Sequence, residues 1–207
     1  MNAIGGDERQ RFRDLGREGG LAVGLTAVLE GLDPASEAPG DAAVLPLSAV
    51  GADADVRPHP FAALDGLALV RFPRSGAGPG PGLTGRRAAL LAAVRVGVLS
   101  RMLDTAVRRL SSRRFGGVPL IEHQLVGGAL ADLVTEMETD AAMPDSPSAE
   151  AAWDRHERLT EAGWAATRLF GAEGYITDHP ARCLYLSVLT ADLWLARPGP
   201  PEGGGGR

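Results

Sequence analysis

The chain has 207 residues, enough for one domain or one and a fragment, and its 44% apolar content can fill a sizeable core. A net charge of −5 argues against a nucleic-acid surface, and all 21 basic residues are Arg, so an Arg pair here says less than usual. Cys183 is the single cysteine, which excludes an internal disulfide or a Cys-based zinc cage; with no apolar run of about 18 residues, a soluble, cytoplasmic protein of a reducing compartment is expected.

Residues 1–40 read as short helices and a linker. Asp7-Glu8-Arg9-Gln10 has capping-box form, with Asp7 as N-cap and Gln10 at N3, and Phe12 and Leu15 give that helix an apolar face. Gly16, Gly19 and Gly20 interrupt it. Leu21, Leu25, Val28, Leu29 and Leu32 recur at helical spacing, although Leu21, Val23 and Leu25 also alternate as in a strand; helix is the favoured reading. Asp33 to Asp41 is a linker by composition.

Residues 41–75 read as a small β element. Val44–Leu47, Asp55–Arg57 and Leu67–Phe72 are short strands; Pro46 suits a sheet edge and Pro58 ends the second segment. Ser75 to Gly82 is a Gly/Pro-rich hinge.

Residues 84–197 read as a four-helix domain. Thr84 caps a helix to about Leu110, with Leu91, Val94, Val98, Met102 and Ala106 as its stripe and most of its Arg residues on a solvated face. A second helix starts near Pro119 and uses Val126, Leu130, Leu133 and Met137. Ser146 caps a third, with Pro147 at its first position, that runs to about Phe170. Gly171 to Asp178 is a loop, and Pro180 to Ala196 is the fourth helix. Residues 198–207 are expected to be a disordered tail. The fold class is therefore mainly α: an antiparallel four-helix bundle preceded by a small β element.

Two segments carry a family resemblance. Arg113-Arg114-Phe115-Gly116-Gly117-Val118-Pro119-Leu120 leads to Gln124, and Ala129 to Leu133 follows as A-L-A-D-L. This resembles the R-x-x-F-G-x-P-[LI]-x-x-x-Q turn of acyl-CoA dehydrogenases, with Gly116 where the family has Phe and Phe115 beside it. Leu169-Phe170-Gly171-Ala172-Glu173-Gly174-Tyr175, followed by Asp178-His179-Pro180, is similar to the family's F-G-G-x-G-[YF] segment, with Ala172 for the second Gly. The resemblance covers roughly residues 84–190, with a fainter match of 43–72 to the last strands of the family's middle β domain.

The resemblance implies that Arg113, Phe115, Gly116, Leu120, Gln124, Arg168, Gly171 and Ala172 approach flavin adenine dinucleotide (FAD) held by a neighbouring subunit. A guanidinium at Arg113 suits pyrophosphate oxygens in charge and fork geometry, and Gln124 can bond polar groups of the dinucleotide. It also implies what is missing. The all-helical first domain and the ring-holding strands have no counterpart ahead of Ala43. The family's general-base Glu falls at Leu195-Ala196-Arg197, its upstream Arg-Asp pair at Leu186-Ser187, and the other place for a base offers nothing acidic before Asp104.

The expected function is a truncated acyl-CoA dehydrogenase-like subunit without its own catalytic base. It would pair with a full-length flavin-dependent acyl-CoA or acyl carrier protein dehydrogenase and complete that partner's FAD site for α,β-desaturation of an acyl thioester. The alternative is a stand-alone, diverged homo-oligomeric enzyme of acyl-thioester or polyketide-type metabolism, with or without flavin, and with a base from Glu122, Glu136, Glu138 or Asp178. A third reading is a pure assembly protein. No catalytic residue is assigned, and no metal, nucleic-acid or membrane partner is expected.

Plainer readings stand beside these. Arg113 reads equally as a solvated or salt-bridged Arg, and Gly116, Gly117, Gly171 and Gly174 as turn formers. His123, His156 and His179 lack metal spacing, and the neighbours Glu122/His123 and Asp178/His179 point apart. Cys183 reads as core. Trp153, Trp164 and Trp194 read as packing residues, with Trp194 also a candidate interface anchor.

Overall fold

The first long helix, α1 (Gly6–Leu29), lies against α3 (Gly85–Ser112), and this contact is the most extensive between any two elements. The computed structural model describes residues 5–73, 78–176 and 178–198, so part of the Ser75–Gly82 hinge and the tail beyond 198 lie outside the described residues. Helix α1 is two helical pieces joined across a kink, so the expected interruption falls at Gly20 and not at Gly16 or Gly19. Its N-cap is Gly5, while Asp7 and Glu8 sit in the first turn, where they complement the helix dipole. The chain passes through Gly16 and Gly19 as helix and kinks only at Gly20, where φ is 78°. The physical reason is close approach. A Cβ at Gly16 would lie 2.2 Å from the Val94 carbonyl oxygen, and one at Gly97 would lie 2.0 Å from that of Arg13. These glycines let two helix backbones touch rather than ending a helix.

The linker contains one helical turn, α2 (Pro34–Glu37), with Pro34 at its start and the Asp33 carboxylate accepting the Ala35 N–H. Strands β1 (Ala42–Pro46), β2 (Asp55–Arg57) and β3 (Leu67–Arg71) form an antiparallel sheet in the order β1-β3-β2. Pro46 is on an edge strand, opposite Leu67, where its missing N–H costs no ladder bond. Trp194 locks this sheet to the helices: it is fully buried, and its indole N–H donates to the Val44 carbonyl at 2.8 Å.

Helix α3 is the central element. Its residues 88–99 are buried without a break, because α1, α5 (Ala149–Arg168) and α6 (Arg182–Trp194) surround it. One Arg departs from the expected solvated face: Arg95 is 3% exposed. A short hairpin, β4 (Arg114–Phe115) and β5 (Val118–Pro119), follows α3 and leads through a 3-10 turn into α4 (Gln124–Ala142). Pro119 therefore heads the 3-10 turn, and α4 begins later than the Pro signal indicated. Likewise α5 is capped by Ser148, whose hydroxyl accepts the Ala151 N–H, while Ser146 accepts the Ser148 N–H one step upstream. Helix α5 ends at Arg168, and α6 is shorter at both ends than its apolar run. The molecule is mainly α with a small antiparallel sheet, as expected; α1 adds one more long helix to the group α3–α6.

Candidate functional site

The candidate site is built at the C-terminal end of α3. Arg109 and Arg113 are one helical turn apart, so their side chains leave the same face, and Arg113 is where the chain turns extended. The hairpin beyond is a two-residue loop with Gly116 at φ 60° and Gly117 at φ 84°, the doubly left-handed backbone that a tight, correctly twisted hairpin requires. This explains Gly116 at a place where Phe is usual in the resembling turn. The displaced ring belongs to Phe115, which is 73% exposed and stands 6.1 Å from the His123 ring. The Leu120 N–H donates to the Arg113 carbonyl at 2.8 Å and closes the loop.

The second segment meets the first beneath this surface. Phe170 and Ala181 form a small cluster with Ala106 and Leu110 of α3, and Leu120 and Leu169 pack against it. Leu120 thus sits half-buried, with its side chain in the shared core. Above that core, Gly171 (φ 63°) opens a 3-10 turn through Tyr175, with Gly171 and Ala172 exposed. Glu173 of this turn joins the two segments: its carboxylate meets Arg109 Nη1 at 2.5 Å and Arg113 Nη2 at 2.8 Å. The Arg109 hydrogen bond, aided by Arg113, pulls the Glu173 carboxyl down to about 2 against the opposing effect of desolvation. Arg109 also donates to the Phe170 carbonyl at 3.4 Å. Beside it His179 packs 4.7 Å from the Phe170 ring, and desolvation, then Arg109, lowers its pKa.

Of the residues singled out in the sequence, Arg113, Gly171 and Ala172 are brought to one surface. Gln124 is the exposed first residue of α4 and Arg168 the exposed last residue of α5. Sequence reasoning missed Arg109 and Glu173. Arg109 had a signal, its four-residue spacing from Arg113; Glu173 had none beyond an acidic side chain between small residues.

The position where a base was sought is apolar in structure as in sequence: Leu195 is 2% exposed and Leu186 fully buried. Of the alternative carboxylates, Glu136 is held by Arg158 at 3.0 Å, and Glu122, Glu138 and Asp178 are exposed. Ser187 belongs to a second polar cluster. Arg95 donates to Ser187 Oγ, Thr160 Oγ1 and His156 Nδ1 at 2.9 Å each, and to the His156 carbonyl at 3.0 Å. His156 Nε2 lies 3.0 Å from the Ala88 carbonyl, so the proton is assigned to Nε2 and Nδ1 is the acceptor. Burial, then the Arg95 charge, holds this imidazole neutral with a pKa well below its usual value.

Two open grooves lie elsewhere. One of about 560 Å³ is lined by Leu47, residues 56–60 and strand β3, and one of about 660 Å³ lies between α1 and β1. Neither includes a residue of the two sequence segments. Among the described residues, no group of three His, Cys, Asp or Glu side chains is placed to hold a metal, and no helix is long and apolar enough to cross a membrane.

The family described as acyl-CoA dehydrogenase, C-terminal domain, matches residues 82–145, which hold α3, the hairpin and α4. No curated protein sequence matches the chain. Solved structures similar to it include a glutaryl-coenzyme A dehydrogenase in complex with glutaryl-CoA, at 20% identity and a TM-score of 0.46 over 67% of this chain and 42% of that one. A putative acyl-CoA dehydrogenase from Mycobacterium smegmatis is 18% identical, with a TM-score of 0.40 over 59% of this chain and 39% of that one. The prolyl acyl carrier protein oxidase AnaB is 19% identical, with a TM-score of 0.44 over 69% of this chain and 46% of that one. The chain spans less than half the length of each of these three.

Proposed function

We propose, from the match of residues 82–145 to the C-terminal domain of the acyl-CoA dehydrogenase family, that this chain is a non-catalytic subunit that lends one edge to the FAD site of a partner dehydrogenase. The observation that carries the reading is the joint surface of Arg113 and the Gly171–Ala172 turn, braced on one small core and open to solvent. The donor set suits the group at its pyrophosphate edge: two guanidiniums already share one oxyanion, the Glu173 carboxylate. Arg113 would hold phosphate oxygens, the exposed turn at Gly171 would let a ligand approach the backbone, and Gln124 would bond polar groups nearby. Flavin, when bound, supplies the hydride acceptor for α,β-desaturation of an acyl thioester. The general base belongs to the partner, since Leu195 and Leu186 have no proton-accepting group.

The test is co-expression with a full-length flavin-dependent acyl-CoA or acyl carrier protein dehydrogenase encoded beside it. The expected result is a yellow hetero-oligomer whose flavin retention falls when Arg113 and Gln124 are both changed to Ala. A partner that is fully assembled, flavin-loaded and active without this chain overturns the reading.

A further inference from the structure

Arg109 and Arg113 converge on one carboxylate, each through a different oxygen, at 2.5 and 2.8 Å. Two guanidiniums fixed at this spacing can grip any small oxyanion, and a phosphoryl group offers similar oxygen separation with more charge. The group now in the fork is not a structural ligand buried beyond reach. Arg113 and Glu173 have side chains 52% and 44% exposed, and Glu173 rides on a short 3-10 turn rather than a long element. The trio keeps one net positive charge, so the fork is only partly neutralised by its own carboxylate.

We propose that Arg109 and Arg113 form a pyrophosphate-binding fork and that Glu173 is its built-in competitor, displaced when the ligand enters. The inference deepens the flavin-edge reading and rests on it for the class of ligand, the pyrophosphate of a dinucleotide. It adds Arg109 as a direct ligand contact and makes Glu173 a selectivity residue. A singly charged anion gains too little to expel the carboxylate, whereas a pyrophosphate presents one phosphoryl to each guanidinium. Before the ligand arrives, Glu173 holds the two Arg side chains in the geometry that the ligand needs. Acid does not open the fork in the ordinary range, because Glu173 stays ionised until the pH approaches about 2. Displacement is therefore by competition.

The experiment is calorimetric titration of the full chain alone with inorganic pyrophosphate, inorganic phosphate and FAD, at low and at physiological salt. Glu173→Gln is expected to bind pyrophosphate about tenfold more tightly than the native chain, because one like charge beside the ligand is gone. Glu173→Ala is expected to show the same gain, and adding Arg109→Ala to either variant is expected to cancel it. FAD is expected to gain by the same factor and phosphate by less. Binding should weaken as salt rises. If neither Glu173 variant gains affinity for pyrophosphate, or if Arg109→Ala leaves the gain intact, the fork is overturned. If pyrophosphate gains and FAD does not, the dinucleotide is overturned as ligand. No partner subunit is needed, so failure of the hetero-oligomer and failure of the fork are separate results.

Discussion

Arg95 lies inside α3 and Arg113 caps its end about five turns later, and these two arginines solve opposite problems. Arg113 is at the surface, where one carboxylate shared with Arg109 satisfies it and water can replace that carboxylate at little cost. Arg95 is in the core, where it meets no carboxylate directly. Hydroxyls, a backbone carbonyl and a neutral imidazole satisfy it instead. Burial lowers its pKa to about 10, partly offset by Asp192, Asp140 and Glu157 at longer range. The difference teaches which arginines can do chemistry. A fork that can exchange its anion suits a ligand, while a fully bonded guanidinium in a dry core fixes the arrangement of α3, α5 and α6.

The largest expected effects follow from breaking the core side of this contrast. Arg95→Ala removes the donor from three side chains at once and leaves a cavity, so unfolding free energy should fall by roughly 4 kcal/mol. Arg155→Ala should cost about 3 to 5 kcal/mol, because it strands Asp140, whose buried carboxylate now takes two bonds from Arg155 at 2.6 and 2.9 Å. Denaturant titration measures both. A loss below about 1 kcal/mol for Arg95→Ala would mean that the core cluster is as dispensable as a surface pair.

The contrast was half legible in the sequence. The turn after α3 was legible because its signal is local, Gly-Gly fixing the loop, but its pairing into a hairpin was not read and α4 was placed too early. The sheet was legible for the same reason, with Pro46 at an edge and Pro58 closing a strand. Arg95 was not legible, because helical periodicity assigns a face only when one side of the helix is wet, and α5 and α6 cover the side on which Arg95 lies. Gly16 of α1 misled likewise: whether it ends a helix or admits another backbone depends on Val94, which is distant in sequence. Glu173 became visible only once the fold placed it between two arginines.

A smaller effect separates the two regions by pH. His156 has a folded pKa below its unfolded value near 6.5, so the unfolded chain binds the extra proton first. Stability should therefore be level above about pH 6.5 and decline as the pH falls below it. The hydrogen bond to the Ala88 carbonyl softens the effect, and the Arg95 and Arg155 charges add to it; Asp192, Asp140 and Glu157 face Arg95. His156→Gln keeps a hydrogen-bonding side chain without the titration, so its stability should change less between pH 7 and pH 5.5 than that of the native chain. Equal slopes in the two proteins would assign the acid sensitivity to other groups.

The smallest expected effect on stability is the one most diagnostic of function. Arg113→Ala and Glu173→Gln each disturb an ion pair about half exposed, and each should leave unfolding free energy nearly unchanged. Glu173 contributes what it does only above its unfolded carboxyl value, and loses it as the pH falls from about 4.5 towards about 2. Around neutrality, then, neither substitution acts through protonation. Thermal melts at pH 7 should barely move for either one, and anion affinity should move in opposite directions, down for Arg113→Ala and up for Glu173→Gln. That pairing of a small stability change with opposed ligand effects is what a displaceable counter-ion predicts. A structural brace predicts the reverse: a shared loss of stability and no change in ligand binding. A drop of several degrees in both variants with unchanged anion affinity would place Arg113 beside Arg95 as a scaffold residue and erase the distinction between the two regions.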